Sequence, residues 1–257
     1  MKPEAPATFD ASQDIMSLPL FQGVEADLVH GLVVSARRAQ HAKGTVFLAQ
    51  NQLVTRFYIM LDGWCGVSKC SPDGQDTILQ VFRRGDFLPE PDHAVYVGRS
   101  PVNLLALSTV SLLMVSPGAV RNALERSKVF MANMLAVSIQ RSHELRDHVE
   151  QLTLHNAEER VGRFLLQMRL HSSVTGSDIT LPFDKSFVAA YLGIKPETLS
   201  RTLQFFREKG FMIERNHFVL PDRQALCTYC NSFTSRSCRR AHAVDCPNRI
   251  HNEALIA

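Results

Sequence analysis

Four of the six cysteines in this 257-residue chain stand in one stretch near its end, as Cys227-x2-Cys230 followed by Cys238 and Cys246. Thiolates are soft ligands, and four of them complete either a tetrahedral zinc site or a cubane iron–sulfur cluster. Disulfides are the competing use, and they persist only in oxidising compartments. The opening MKPEAPATFD carries acidic residues and prolines and no apolar core, unlike a secretory leader. The most apolar stretch, VNLLALSTVSLLMV at 102–115, is interrupted by Asn103, Ser108, Thr109 and Ser111 and is too short to span a bilayer. A cytoplasmic protein without membrane association is therefore expected, and the cysteine stretch is expected to bind metal. A zinc ribbon pairs one Cys-x2-Cys with another, whereas the second half here is wide, with His242 inside it. That uneven series favours a [4Fe-4S] cluster on Cys227, Cys230, Cys238 and Cys246. The alternative is Zn2+, with His242 or His251 able to replace one cysteine. Cys65 and Cys70 read as small packed hydrophobes in a strand-turn region.

A second stretch carries recognition chemistry. FDKSFVAAYLGIKPETLSRTLQFFREKGF, 183–211, reads as a short apolar-faced helix, a break at Leu192-Gly193-Ile194, and a second helix starting at Pro196 and stopping at Gly210. Two helices joined by a tight glycine turn are the helix-turn-helix pattern, and MIERNHFVLPD (212–222) alternates like the hairpin wing that follows one. Glu197, Ser200 and Arg201 share one face near the start of the second helix. Arginine pairs with guanine, glutamate accepts from a cytosine amino group, and serine contacts either kind of base. Lys185, Lys195, Arg207 and Lys209 are placed to touch phosphates. An ion pair between Glu197 and Arg201 on a solvated helix is the plainer use of the same spacing. The net charge of +3 is unevenly spread, with acidic and basic residues balanced over 1–155 and basic residues in excess over 156–257, as a polyanion partner requires.

The elements that must position these residues are legible in outline. Over 41–118, short apolar runs (TVFLA, RFYIML, WCGVS, TILQVF) alternate with the turns Asp62-Gly63, Ser71-Pro72-Asp73-Gly74 and Arg84-Gly85-Asp86, which predicts an antiparallel β-barrel or sandwich. Gly and Pro are absent from Ala119 to Val161, which predicts a long helix. Met131, Leu135, Ser138, Ser142, Leu145, Val149 and Leu152 alternate four and three apart within it, the spacing of a coiled-coil dimer seam. The predicted order is a tail (1–14), a β-barrel (15–118), a dimerisation helix (119–155), a winged helix-turn-helix (156–226) and a cysteine-rich tail (227–257). There is no phosphate loop, nucleophile elbow or HExxH, and no deaminase-like glutamate motif beside the Cys/His cluster, so enzymatic activity is not expected.

This order, an α+β chain of β-barrel, long helix and winged helix, resembles the CRP/FNR family of bacterial transcription regulators from about Ile15 to Leu226. NAEERVGRFLL (156–166) is similar to the segment that opens that family's DNA-binding domain, and VAAYLGIKPETLSRTLQFFREKGF (188–211) to its helix-turn-helix. Glu197-x2-Ser200-Arg201 resembles the FNR-type reading head. The resemblance implies a cyclic-nucleotide-binding type of barrel and a homodimer on palindromic DNA with TTGAT-like half-sites, with RNA polymerase as a further partner. It implies too that the tail resembles members whose cluster sits on C-terminal cysteines, although those use three cysteines and a different fourth ligand. The family's nucleotide pocket is altered: Gly85-Asp86-Phe87 is followed by Leu88-Pro89-Glu90, where proline replaces a glycine and removes a backbone N–H, so cAMP is not expected even with Glu90 and Arg99 retained. Haem on His41 or His93 lacks any supporting motif. The expected function is a regulator responding to redox state, oxygen or nitric oxide through the tail. The alternative is a regulator of the same fold sensing a small ligand or haem in the barrel, with structural zinc in the tail.

Overall fold

The computed structural model describes residues 15–70, 76–89, 98–171, 178–222, 224–231, 234–235, 238 and 246. The chain divides into two compact units, Met1–Ser142 and His143–Ala257. Among the described residues the first holds eight strands: β1 Arg37–His41, β2 Val46–Leu48, β3 Phe57–Asp62, β4 Cys65–Cys70, β5 Asp76–Phe82, β6 Phe87–Leu88, β7 Asn103–Ala106 and β8 Val110–Val115. They form two antiparallel four-stranded sheets, ordered β1-β8-β3-β6 and β2-β7-β4-β5, and do not join into a closed barrel among the described residues. Tyr58, Met60, Leu88, Val110 and Leu112 of the first sheet share one core with Leu48, Cys65, Val67, Leu104 and Ala106 of the second.

β3 explains why its stretch reads as a continuous apolar run rather than an alternating one. Tyr58 and Met60 enter the core between the sheets, while Phe57, Ile59 and Leu61 lie in a second core with residues of the helices. That second core includes Leu28, Val29 and Leu32 of helix α1 (Ala26–Ser35), Val120 and Ala123 of α2 (Pro117–Arg126), and Phe130 and Met134 of α3 (Lys128–Leu154). The Gly/Pro-free run expected as one helix is thus divided among α2, α3 and a further helix that starts at Ala157. Ser127 makes the break: its Oγ accepts from Phe130 N–H at 3.3 Å, capping α3, and donates to Glu25 at 2.9 Å. Arg141 anchors the end of this unit's share of α3 by an ion pair with Asp86 and by lying 4.1 Å from the centroid of the Phe82 ring.

The second unit starts within α3 and continues through α4 (Ala157–His171), β9 (Asp178–Thr180), α5 (Lys185–Tyr191), α6 (Pro196–Glu208), β10 (Met212–Glu214) and β11 (His217–Val219). Asn156 and Glu159 separate α3 from α4 by a reciprocal cap, each backbone N–H donating to the other's side chain at 3.0 Å. The hairpin expected over 212–222 is β10–β11, and β9 adds a third antiparallel strand beside β11. No helix among the described residues is long and apolar enough to cross a membrane.

Candidate nucleic-acid interface and cysteine site

α6 is oriented by what it buries. Leu199, Thr202, Leu203 and Phe206 are its buried residues, spaced three and four apart, and the opposite face carries Glu197, Ser200 and Arg201 into solvent. The connection from α5 turns at Gly193, whose φ of +61° lies in the left-handed region, and Ile194 N–H closes the turn on the Ala189 carbonyl at 3.0 Å. Ser200 Oγ donates to the Pro196 carbonyl at 3.0 Å. Gln204, which sequence reasoning passed over, is exposed one turn beyond Ser200 and Arg201 and extends their face; the i, i+4 step from Ser200 was the signal.

The four basic residues expected at phosphates are all exposed. Lys185 opens α5 and Lys195 precedes α6. Arg207 is tied to its own unit, donating to Gln204 at 3.3 Å and to the Ile213 carbonyl at 3.5 Å, and Lys209 Nζ lies 4.3 Å from the Phe205 ring centroid. Along α3 the seam residues Met131, Leu135, Leu145 and Val149 are exposed, at 51%, 61%, 42% and 57%, as is Ile139, which the heptad count left out. Leu152 is half-buried and approaches the Gly193 turn, so it faces its own unit.

The cysteine tail docks on the same unit. Cys227–Tyr229 form a single 3-10 turn that leads into Cys230, whose N–H donates to the Cys227 carbonyl at 3.1 Å. The Tyr229 ring lies against α4 at Gly162, where a Cβ would stand 2.5 Å from its Cγ. A mid-helix glycine costs about 0.5–1 kcal/mol relative to alanine, and this contact accounts for it. The ring also packs on Phe206 of α6, with centroids 5.9 Å apart. Asn231 follows: its Nδ2 donates to Asp147 of α3 at 2.5 Å, and it exchanges bonds with Thr234, the Asn231 N–H donating to Oγ1 at 2.9 Å and the Thr234 N–H to Oδ1 at 2.8 Å. Asp147, 7% exposed, also accepts from Gln151 at 2.6 Å and from Gln167 at 3.5 Å.

All six cysteines are free thiols. Burial pushes the Cys227 thiol up first, the proximity of Cys246, Cys238 and Cys230 adds to it, and Arg169 opposes. Cys230 is likewise raised by burial, then lowered by Thr234, whose Oγ1 lies 3.5 Å from its Sγ, raised by Cys238 and Cys246, and lowered by Arg163. The four thiols are thus electrostatic neighbours. Among the described residues, however, no three His, Cys, Asp or Glu side chains close on one metal position. Two features fit a metal-thiolate group here. A cation reverses the mutual repulsion of clustered thiolates, and the NH1 group of Arg169 on α4, buried without a hydrogen-bond partner among the described residues, supplies positive charge beside the sulfurs; Arg163 adds to it, although its NH1 is ion-paired with Asp147 at 4.0 Å. Glu90, His93, Arg236, Arg239, Arg240, His242 and His251 lie outside the described residues.

Known proteins agree with this architecture. Residues 38–127 match the cyclic nucleotide-binding domain and residues 159–229 the Crp-like helix-turn-helix domain. The nitrogen fixation regulation protein FixK of Bradyrhizobium diazoefficiens is 28% identical over 177 residues, covering 68% of this chain and 73% of its own. A CRP-like cAMP-activated global transcriptional regulator of Mycobacterium tuberculosis is 21% identical, over 80% of this chain and 94% of its own. The structure of FixK2 from Bradyrhizobium japonicum superposes with a TM-score of 0.68 over 77% of this chain and 98% of its own, at 22% identity, and so shares the fold. Regulators of this kind bind DNA, usually as dimers. With its sandwich, its helix-turn-helix and these relatives, the chain is a DNA-binding transcription regulator of the CRP/FNR family.

Proposed function

We propose that this regulator acts as a homodimer whose DNA affinity is set by a metal group on Cys227, Cys230, Cys238 and Cys246, a [4Fe-4S] cluster, in response to redox state, oxygen or nitric oxide. When bound, such a group supplies a reversible cross-link between the four sulfurs that oxidants dismantle. The observation that carries the reading is that Tyr229, within the Cys227–Cys230 turn, packs on both α4 and α6, which supports a coupling between the cysteines and the helix that carries Glu197, Ser200 and Arg201. The exposed apolar residues of α3 support a second copy of the chain as dimer partner. Lys185, Lys195, Lys209 and, less freely, Arg207 would hold phosphates on TTGAT-like half-sites, with RNA polymerase engaged from the bound dimer. cAMP is not proposed as the signal: Pro89 offers no backbone N–H, and Arg99 NH1 donates to the Asn51 carbonyl at 2.7 Å.

The test is an ultraviolet–visible spectrum with iron, sulfide and zinc analysis on anaerobically purified protein, followed by DNA binding before and after air. A brown chromophore that bleaches together with a loss of DNA affinity supports the reading. A colourless protein with one zinc per chain makes the tail structural and returns the signal to the sandwich. In the same assay Arg201→Ala is expected to lose about 1–3 kcal/mol of discrimination at one base position.

A further inference from the structure

We infer that Tyr229 is the positioning residue through which the tail cysteines set the recognition helix; the inference rests on the metal-dependent reading above. Tyr229 stands between Cys227 and Cys230 in one 3-10 turn, so two sulfurs held by a common metal fix its backbone from both sides. Its ring is a wedge with two walls. One wall is the backbone of α4 at Gly162, where even a methyl group would meet the ring at 2.5 Å. The other is Phe206, fully buried on the inner face of α6 and packed in turn on Phe211, with ring centroids 5.1 Å apart. The ring therefore sets the spacing between α4 and the helix that carries Glu197, Ser200 and Arg201.

A second anchor lies one residue beyond Cys230, where Asn231 holds Asp147 of α3. The two contacts differ in consequence. Asn231 fastens the tail to α3, whereas Tyr229 joins the cysteine turn to α6. A metal held by the turn keeps the wedge seated. Loss of the metal frees residues 227–230, the ring leaves Gly162, and α6 loses its fixed position against α4.

The test uses the full chain, anaerobically loaded or stripped by air and chelator, and a labelled duplex bearing a palindrome of TTGAT half-sites. Wild-type protein is expected to bind about 5–150-fold more tightly when loaded, the usual range of a coupling between two sites. Tyr229→Ala should keep the wild-type metal content but bring the loaded-to-stripped ratio to about 1, while Tyr229→Phe, which keeps the ring, should preserve the ratio. Gly162→Ala attacks the wedge from the other wall with the tail sequence untouched, and it should also abolish the ratio. It has a second readout besides DNA: it should raise the melting temperature of stripped protein, where alanine only improves the helix, and lower that of loaded protein, where it collides with the ring. A Tyr229→Ala protein that holds metal and keeps the wild-type ratio overturns the inference and leaves the tail as sensor. If Tyr229→Ala fails to hold metal, Gly162→Ala decides, and a wild-type ratio there overturns the inference. A wild-type protein with no ratio at all removes both the inference and the reading beneath it.

Discussion

Cys65 lies between the two sheets of the sandwich with none of its surface exposed, packed among Val67, Phe82 and Ala106, whereas Cys227 and Cys230 sit half-buried in a turn with two other cysteines and two arginines as electrostatic neighbours. Burial pushes the Cys65 thiol far above its ordinary range, the Asp86 charge adds to this, and only a hydrogen bond with the Leu105 backbone opposes it. Burial raises Cys227 and Cys230 too, but their other neighbours are the ones a bound cation turns to advantage. The same side chain is an inert small hydrophobe in one unit and a candidate ligand in the other. What separates the two is the company of like thiols and of neighbouring positive charge, more than exposure. Cys70 is exposed at the end of β4, unlike the packed residue expected there.

The sharpest way to break the comparison is to exchange serine for cysteine in each unit. Cys227→Ser with Cys230→Ser is expected to remove bound metal altogether and with it any dependence of DNA affinity on air. Cys65→Ser with Cys70→Ser should leave both intact. Metal analysis and DNA titration check the two pairs side by side, and metal lost from the sandwich pair alone would reverse the assignment of the units.

How far the sequence could carry this contrast depends on the range of the interactions involved. The helix-turn-helix was legible because its signals are local: Gly193 in the turn, Pro196 at the helix start, and the three- and four-residue spacing of Leu199, Leu203 and Phe206. The cysteine spacing was equally plain. What lay beyond reach was tertiary. The Tyr229 contact with Gly162 and the Asn231 bond to Asp147 join residues far apart in the chain, and nothing near Gly162 announces an aromatic ring from the tail. The division of α2 from α3 was hidden because Ser127, rather than glycine or proline, makes it, by capping and by a bond to a glutamate near the start of the chain. β9 is three residues long and exists only by pairing with β11, so it has no periodicity to read.

Smaller effects refine the picture. Thiol alkylation of stripped protein under native conditions should label the tail cysteines readily. Cys65 should react only through unfolding, slower by roughly a thousandfold or more. Peptide mass spectrometry gives the ratio, and equal labelling would contradict the burial assigned to Cys65. Cys65→Ser on its own is expected to destabilise the first unit by about 1–3 kcal/mol, the cost of a hydroxyl in an apolar site. Cys70→Ser should stay within about 0.5 kcal/mol. Trp64, the single tryptophan and the neighbour of Cys65, makes urea unfolding followed by fluorescence a direct report on this unit.

The smallest effect belongs to the other unit and to protons. His148 stacks on Tyr191 with ring centroids 4.5 Å apart, and burial holds its pKa below the ordinary 6.5, with the Asp147 charge acting upward and Arg160 downward. A histidine whose folded pKa is depressed binds its proton more readily in the unfolded chain. The second unit therefore keeps its full stability above about pH 6.5 and loses part of it as pH falls through that value toward the folded pKa. His148→Phe keeps an aromatic ring against Tyr191 and removes the proton, so its stability should vary less over the same interval. Hydrogen exchange of the α5 amides measures this unit without interference from the sandwich. Parallel pH curves for wild type and His148→Phe would show that the ring is not the titrating group. A flatter curve in the variant would place a proton-sensitive contact immediately beside Asp147, the residue on which the cysteine tail is fastened.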